Sequence, residues 1–204
     1  MAYEHAERHI QALQLAKSCV ELGARMKTVA YLTGLSGTLL REYFYNDRAA
    51  TGGRWPSSQD WYHMATLVQR AEASLIATIF QFLRTQHACS ARKAMVCAYK
   101  MYRERWNGRS SISFDRAFEL IASVEGIWTQ QSSQLALHIC ARCRCRYLIA
   151  LGDTSADHTG CVFCKLVKRY ATDSRIQSSF AGKPDLPLSL ARVQSPDRLL
   201  SDSL

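Results

Sequence analysis

Five of the chain's eight cysteines lie within 25 residues near its C-terminal end. Cys140 and Cys143 form one CxxC pair, Cys161 and Cys164 form a second, and 17 residues separate the pairs. This spacing is typical of a zinc site in which each pair supplies two thiolates to one tetrahedral ion. Because four thiolates leave no position for a reacting water, we expect one structural Zn²⁺ per chain.

The fifth cysteine of this group, Cys145, leaves the ligand set open. It could replace Cys143, and His138 or His158 could also act as ligands, although two symmetric CxxC pairs favour the four cysteines. An iron–sulfur centre would accept the same ligands, but nothing in the sequence indicates electron transfer. Two disulfides or unrelated buried cysteines are the remaining alternatives. The other three cysteines lie in helical apolar runs and are predicted core residues: Cys19, Cys89 and Cys97.

Basic residues surround the cysteine pairs, and only Asp153 and Asp157 oppose them in the intervening loop. They are Arg142, Arg144, Arg146, Lys165, Lys168 and Arg169. The whole chain carries a formal net charge of +9, which favours polyanionic partners. We therefore predict contact with nucleic-acid phosphates, the alternative being a surface that is basic only for solvation.

A second candidate site is a helix-turn-helix-like hairpin at about residues 26–45. Ala30 precedes Gly34 by four residues, so two helices can approach closely at a tight left-handed turn. Leu40 and Tyr43 are expected to hold the second helix against the first. In a DNA-binding hairpin the start of the second helix enters the major groove. Its predicted outward residues are Ser36, which is also the expected N-cap, Thr38 and Arg41. A plain helical hairpin is the alternative, because a fold does not establish function.

The helices and strands that carry these residues are predicted to form a mostly α-helical fold. We expect a multi-helix domain over 1–136, a zinc-binding module with short β segments over 137–172, and a flexible tail over 173–204. Residues 46–58 read as a loop. One long helix is expected from "SSQDWYHM" to "FQFLRT" and another over "SFDRAFELIASVEGIWTQQSSQLALHI", with β character limited to runs such as "CRYLIAL".

Other functional classes receive little support from the sequence. The motifs GxxxxGK, HExxH and GxSxG are missing, so we do not expect an enzyme. No secretion signal opens the chain, and its most apolar stretch, "LIATIFQFL", is too short to cross a bilayer. These features predict a cytoplasmic protein without a membrane partner.

Together these stretches resemble the FlhC family, the flagellar transcriptional activator subunits of motile bacteria. The resemblance covers roughly residues 10–170 and rests on "ELGARM" leading into "LTGLSGTLLREYF", on "DWY", on "AYKMYRER", and on "CARC" with "CVFC". It implies a mostly helical protein that binds zinc through Cys140, Cys143, Cys161 and Cys164. It also implies assembly with FlhD into a heterohexamer that binds double-stranded promoter DNA upstream of flagellar operons and recruits RNA polymerase. The alternative is a zinc-stapled protein-interaction adaptor that does not itself read DNA sequence.

Overall fold

The computed structural model describes residues 2–46, 60–106, 110–152 and 160–180. Most of these residues are helical, and two short strands precede and follow the first cysteine pair, so the predicted fold class is confirmed. The elements are α1 (Ala2–Glu21), α2 (Met26–Thr33), α3 (Gly37–Leu40), a π-helical turn (Arg41–Tyr45), α4 (Asp60–Met64), α5 (Leu67–Gln86), α6 (Ala91–Arg105), α7 (Phe114–Glu125), β1 (Leu135–Ile139), β2 (Arg146–Ala150), α8 (Val162–Tyr170) and α9 (Ser174–Phe180). The predicted loop at 46–58 lies, apart from Asn46, outside the described residues.

The long helix expected from "SSQDWYHM" onward is interrupted, and that prediction was wrong. Helix α4 ends at Met64, and Thr66 begins α5 as its N-cap. The Thr66 hydroxyl accepts from the Gln69 backbone N–H at 3.3 Å, and the Gln69 side chain accepts from the Thr66 backbone N–H at 3.1 Å. This reciprocal capping box satisfies two of the unpaired donors at the start of α5, so the helix starts ten residues later than the sequence suggested.

Helix α7 also ends earlier than expected, at Glu125. Gly126 follows in the left-handed conformation, with φ of 66°, which glycine adopts at little steric cost. A Cβ at position 126 would lie 2.9 Å from the Ser133 nitrogen. The close approach of the backbone at Ser133 is therefore a second reason for a glycine here. The residues that were predicted to continue the helix instead turn back and form β1.

A buried carboxylate ties α5 to α6 and to the segment that leads into α7. Glu72 is 2% exposed, and its Oε2 accepts from the Tyr102 hydroxyl at 2.6 Å. Ser111 donates to the same oxygen from its hydroxyl at 2.6 Å and from its backbone N–H at 3.3 Å. A buried carboxylate without donors would cost several kcal/mol, so these three bonds fix how the central helices meet. The core of the same helices includes the large buried side chains Phe80, Met95, Phe114, Phe118 and Ile121.

The two strands form an antiparallel pair in which Leu137 lies opposite Leu148. Leu148 is buried, and its backbone bonds to helices on the edge away from β1. Its N–H donates to the Ser74 hydroxyl at 3.0 Å, and its carbonyl accepts from the Tyr62 hydroxyl at 2.7 Å. An open strand edge is thereby paired with side chains of α4 and α5. The β-hairpin that carries the first cysteine pair is thus fixed to the helical core.

The chain divides into two compact units, residues 1–168 and residues 169–204. The domain boundary expected at 136/137 stays a prediction. Both strands that follow it, β1 and β2, pack on α5 within the first unit. Residues 174–180, which were assigned to the tail, form α9, and 181–204 lie outside the described residues. No helix in the described part of the chain is long and apolar enough to span a membrane.

Candidate metal centre and nucleic-acid interface

The first cysteine pair lies at the tip of the β-hairpin, in the turn between β1 and β2. The Cys140 N–H donates to the Cys145 carbonyl at 3.0 Å, and the Arg144 N–H donates to the Cys140 carbonyl at 2.9 Å. Arg144 has φ of 61°, a left-handed backbone conformation that residues other than glycine seldom adopt. These contacts curl the backbone so that the thiols of Cys140 and Cys143 point to one side.

The second pair begins α8. Gly160, with φ of 86°, turns the chain into Cys161, and the Lys165 N–H donates to the Cys161 carbonyl at 3.1 Å as the helix starts. The backbone N–H groups of Cys164 and Phe163 donate to the Cys161 sulfur. Such N–H donors and the positive end of a helix both favour thiolates. The second CxxC therefore has the backbone arrangement that a metal-binding knuckle requires.

The four predicted ligand sulfurs converge on one point, as the cysteine spacing indicated. The Sγ atoms of Cys140 and Cys164 are 3.8 Å apart, and those of Cys143 and Cys161 are 3.6 Å apart. All four sulfurs lie within 4.8 Å of one another. A tetrahedral zinc with Zn–S bonds of about 2.3 Å places its sulfurs about 3.8 Å apart. A disulfide requires about 2.05 Å. The cluster therefore has the size and donor set of a tetrathiolate metal site, and its cysteines are free thiols.

Hydrogen bonds and burial shift the pKa values of the four thiols in different directions. The backbone N–H of Cys145 donates to the Cys143 sulfur and lowers the pKa of that thiol to about 6. The Cys143 N–H acts similarly on Cys140 and lowers its pKa. In contrast, bonding to the Cys143 sulfur raises the pKa of Cys164 to about 12, and burial raises the pKa of Cys161. A cation that binds all four sulfurs must displace the protons that remain, so its affinity falls as the pH falls.

The other candidate ligands are placed outside the four-sulfur cluster or outside the described residues. Cys145 is exposed, and its thiol hydrogen-bonds to that of Cys143. The Cys145 N–H donates to the Cys143 sulfur and its carbonyl accepts from the Cys140 N–H, a supporting role that no sequence motif indicates. His138 lies on β1 opposite Tyr147 and is not part of the cluster. His158 lies outside the described residues.

The six basic residues near the cysteines do not share one environment. Arg142 and Arg144 are exposed in the first turn, and Lys168 is exposed on α8, where Lys165 is half-buried. Arg146 donates from Nη1 to the Gln81 side chain of α5 at 2.7 Å, so part of its guanidinium is already engaged. Arg169 is exposed and belongs to the second compact unit.

The predicted hairpin over residues 26–45 is present. Helix α2 ends at Thr33, and Gly34 caps it with φ of 76° and an N–H that donates to the Ala30 carbonyl at 2.8 Å. Ser36 is the N-cap of α3, as predicted, and its hydroxyl accepts from the Leu39 N–H at 3.3 Å. Leu40 is completely buried and anchors the second helix in the core.

The last turn of the hairpin differs from the expectation. Tyr43 was predicted to pack against the first helix, but it is 64% exposed. A π-helical turn over Arg41–Tyr45 explains this, because the wider turn changes which side chains face inward. Tyr45 packs against the core instead, and its hydroxyl donates to the carbonyl of Ala24, just before α2, at 2.6 Å.

An aspartate from a distant part of the chain fixes the start of the hairpin. The buried Asp115 carboxylate accepts from the Arg25 N–H at 3.0 Å and from the Thr28 hydroxyl. The Arg25 Nε lies 3.5 Å from its other oxygen. Asp115 thus caps α2 from α7: it accepts one of the orphan N–H donors at the α2 N-terminus, where the helix dipole favours negative charge. The 90-residue separation of Arg25 from Asp115 hid this contact from the sequence.

The three outward residues predicted for the second helix are exposed together. Ser36, Thr38 and Arg41 have exposed side chains, whereas Leu39 between them is half-buried. Glu42, the neighbour of Arg41, is also exposed. The hairpin thus presents one cation and two hydroxyls on a short helix whose apolar side is fixed to the core.

A family model described as "Flagellar transcriptional activator (FlhC)" matches residues 1–177. Proteins named flagellar transcriptional regulator FlhC are similar to this chain. The relative from Burkholderia lata is 29% identical over 161 residues, which are 76% of this chain and 70% of the relative. The relative from Paraburkholderia atlantica is 26% identical over 196 residues, which are 90% of this chain and 87% of the relative. The match covers the helical hairpin and the four cysteines alike, and the chain belongs to the FlhC family of flagellar transcriptional activators.

Proposed function

We propose that this chain is the DNA-binding subunit of a cytoplasmic transcriptional activator. In a heterohexamer with FlhD it binds double-stranded DNA upstream of flagellar operons and recruits RNA polymerase. The observation that carries the proposal is the hairpin, because Ser36, Thr38 and Arg41 project from a helix anchored by Leu40. Side chains at the start of such a helix can reach base edges in the major groove.

One Zn²⁺ held by Cys140, Cys143, Cys161 and Cys164 has a structural role in this proposal. A tetrathiolate ion joins the turn after β1 to the start of α8, two segments whose sulfurs otherwise form only weak thiol contacts. It also positions the cations that border the cluster. Phosphate contact is assigned to Arg142, Arg144, Arg146, Lys165, Lys168 and Arg169. Arg146 retains further N–H donors beside its bond to Gln81.

A titration against salt tests the DNA-binding proposal. The complex with FlhD is mixed with a labelled flagellar promoter fragment, and its affinity is measured by gel shift at several salt concentrations. We expect a steep dependence, and Arg144→Ala or Lys168→Ala should each weaken binding and reduce the slope by about one phosphate contact. Arg8→Ala, which removes a cation from the exposed start of α1, is the control for net charge. Wild-type slopes in both test variants would refute the phosphate assignment.

The protein-interaction adaptor remains a second candidate because apolar side chains near the cysteines face outward. Ile139 at the end of β1 is 60% exposed, and Val167 on α8 is 78% exposed. As an adaptor, the chain would bind its partner protein but hold promoter DNA no more tightly than unrelated DNA at physiological salt. The same titration, run with both DNAs, separates the two functions.

A further inference from the structure

Helix α6 presents a strongly basic surface that is distinct from the hairpin and from the cysteine cluster. Its apolar side is buried through residues such as Met95, Ala98 and Tyr102. Outside this buried side, the helix carries five cations and a single acid, Glu104. The cations, named here the α6 basic face, are Arg92, Lys93, Lys100, Arg103 and Arg105, of which Arg103 is half-buried and the others are exposed.

The charges of this face are not neutralised within the described residues. In the described ranges none of the five cations forms a salt bridge or donates a side-chain hydrogen bond. Lys100 precedes Glu104 by four residues, the less favourable order for a helical ion pair, and no contact joins them. The five charges thus remain available to an external anion.

Helix stability explains only part of this arrangement. Arg103 and Arg105 occupy the last turn, where cations complement the helix dipole. Arg92 and Lys93 occupy the first turn, immediately after the N-cap Ser90, where the same dipole disfavours them. Charges placed at a cost to the helix, without an internal partner, point to an external one.

The spacing of the cations matches an extended polyanion. Lys93 and Lys100 are seven residues apart, which is about 10 Å along the helix axis. The major groove of B-DNA is about 12 Å wide, so two long side chains with this spacing can reach toward the phosphates on its edges. Cys97 lies between the two lysines and is exposed. The prediction that Cys97 is a core residue was wrong, because its position falls on the outward side of the helix.

We infer that the α6 basic face contacts the sugar–phosphate backbone of double-stranded DNA and adds affinity that does not depend on sequence. Lysine and arginine contacts to phosphates position a protein on the duplex, while base contacts made elsewhere specify the site. This inference rests on the proposed function, since it assumes that the assembled complex binds DNA. It adds a third contact region to those assigned to the hairpin and to the residues bordering the cysteines.

A double substitution tests the inference in the complex with FlhD. Lys93→Ala with Lys100→Ala should weaken binding to promoter and unrelated DNA by the same factor. It should also reduce the slope of log affinity against log salt by about two. The control, Arg8→Ala with Lys17→Ala, removes the same charge from exposed positions of α1 and should leave the slope nearly unchanged. Thermal melting checks that both variants are folded.

The outcomes separate this inference from the function on which it rests. If the wild-type complex binds DNA and the α6 variant has the wild-type slope, the inference is overturned and the proposed function stands. An equal loss in the α1 control would also overturn it, because the effect would then reflect net charge alone. If the wild-type complex binds no DNA, both the proposed function and the inference fail.

Cys97 provides a second readout that needs no charge change. Promoter DNA should slow alkylation of Cys97 by N-ethylmaleimide, measured on its peptide by mass spectrometry, because the duplex would cover the space between Lys93 and Lys100. The protection should largely disappear in the Lys93→Ala, Lys100→Ala variant. An alkylation rate that DNA does not change would contradict the inference.

Discussion

The four-cysteine cluster and the helical hairpin are positioned in different ways. In the cluster, residue type and spacing carry nearly all of the information, because two CxxC turns bring their sulfurs within 4.8 Å. In the hairpin the exposed residues are chemically ordinary, and contacts from remote elements hold them in place. Asp115 reaches Arg25 from α7, and Leu40 enters the shared core. The cysteine cluster is thus specified locally, whereas the placement of the hairpin's exposed residues depends on the whole domain.

Substitution of one predicted zinc ligand should reduce stability more than any other change, and the structural damage should be confined to the cluster. Cys161→Ser removes a sulfur that lies 3.6 Å from that of Cys143, and a structural zinc contributes about 10 kcal/mol or more to folding. We expect the bound zinc to fall from one per chain to nearly none, measured by plasma mass spectrometry, with a lower melting temperature. Cys145→Ser, the matched control, should keep one zinc, and loss of zinc from that variant would place Cys145 in the ligand set.

Removing the remote cap should damage the hairpin and spare the zinc. Asp115→Ala leaves the Arg25 N–H at the start of α2 without this acceptor and removes the Arg25–Asp115 ion pair. Breaking a buried pair from one side costs about 3–5 kcal/mol, which denaturant unfolding can measure. Zinc content should remain at one per chain. A simultaneous loss of zinc would show that the two regions are not independent.

Leu40→Ala should loosen the second helix of the hairpin from the core. The side chain is completely buried, and a Leu→Ala change in a core costs about 2–5 kcal/mol. Hydrogen exchange should accelerate over residues 37–45 more than over α5. Leu39→Ala, at the half-buried neighbouring position, is the control. Equal costs for the two substitutions would contradict the assigned orientation of α3.

The smallest stability effect is expected at Ser36. Ser36→Ala removes the acceptor of the Leu39 N–H, and loss of an N-cap side chain costs about 1 kcal/mol. Ser36→Gly should cost less, because glycine is tolerated at N-caps. Thermal denaturation compares the two. A larger cost for the glycine variant would indicate that the cap bond is not the main role of Ser36.

Much of the fold and the clustering of the four cysteines were predictable from local signals. The turn at Gly34, the cap at Ser36 and the four clustered cysteines depend on residues that are close in sequence, and the structure confirms them. The strand β1 was missed because "LALHI" is as apolar as a helix face, and its identity depends on pairing with β2. Tyr43 was misplaced because a π-helical turn changes the helical period.

Other features required the tertiary structure. The cap on α2 comes from Asp115, and β2 is paired with Ser74 and Tyr62, so neither can be derived from a local pattern. Cys97 was assigned to the core because its helix is rich in apolar residues. The side of α6 that faces the core became known only from its packing. The same packing defines the α6 basic face.

We propose that the hairpin reads the DNA sequence, while the residues around the cysteines supply affinity that does not depend on sequence. The direct measurement is the ratio of affinities for a flagellar promoter and for unrelated DNA of equal length, at fixed salt, using the complex with FlhD. Arg41→Ala should lower this ratio about tenfold or more, as expected for loss of a base contact. Arg144→Ala should weaken binding to both DNAs and leave the ratio unchanged. An unchanged ratio in Arg41→Ala, with a lowered ratio in Arg144→Ala, would contradict the account.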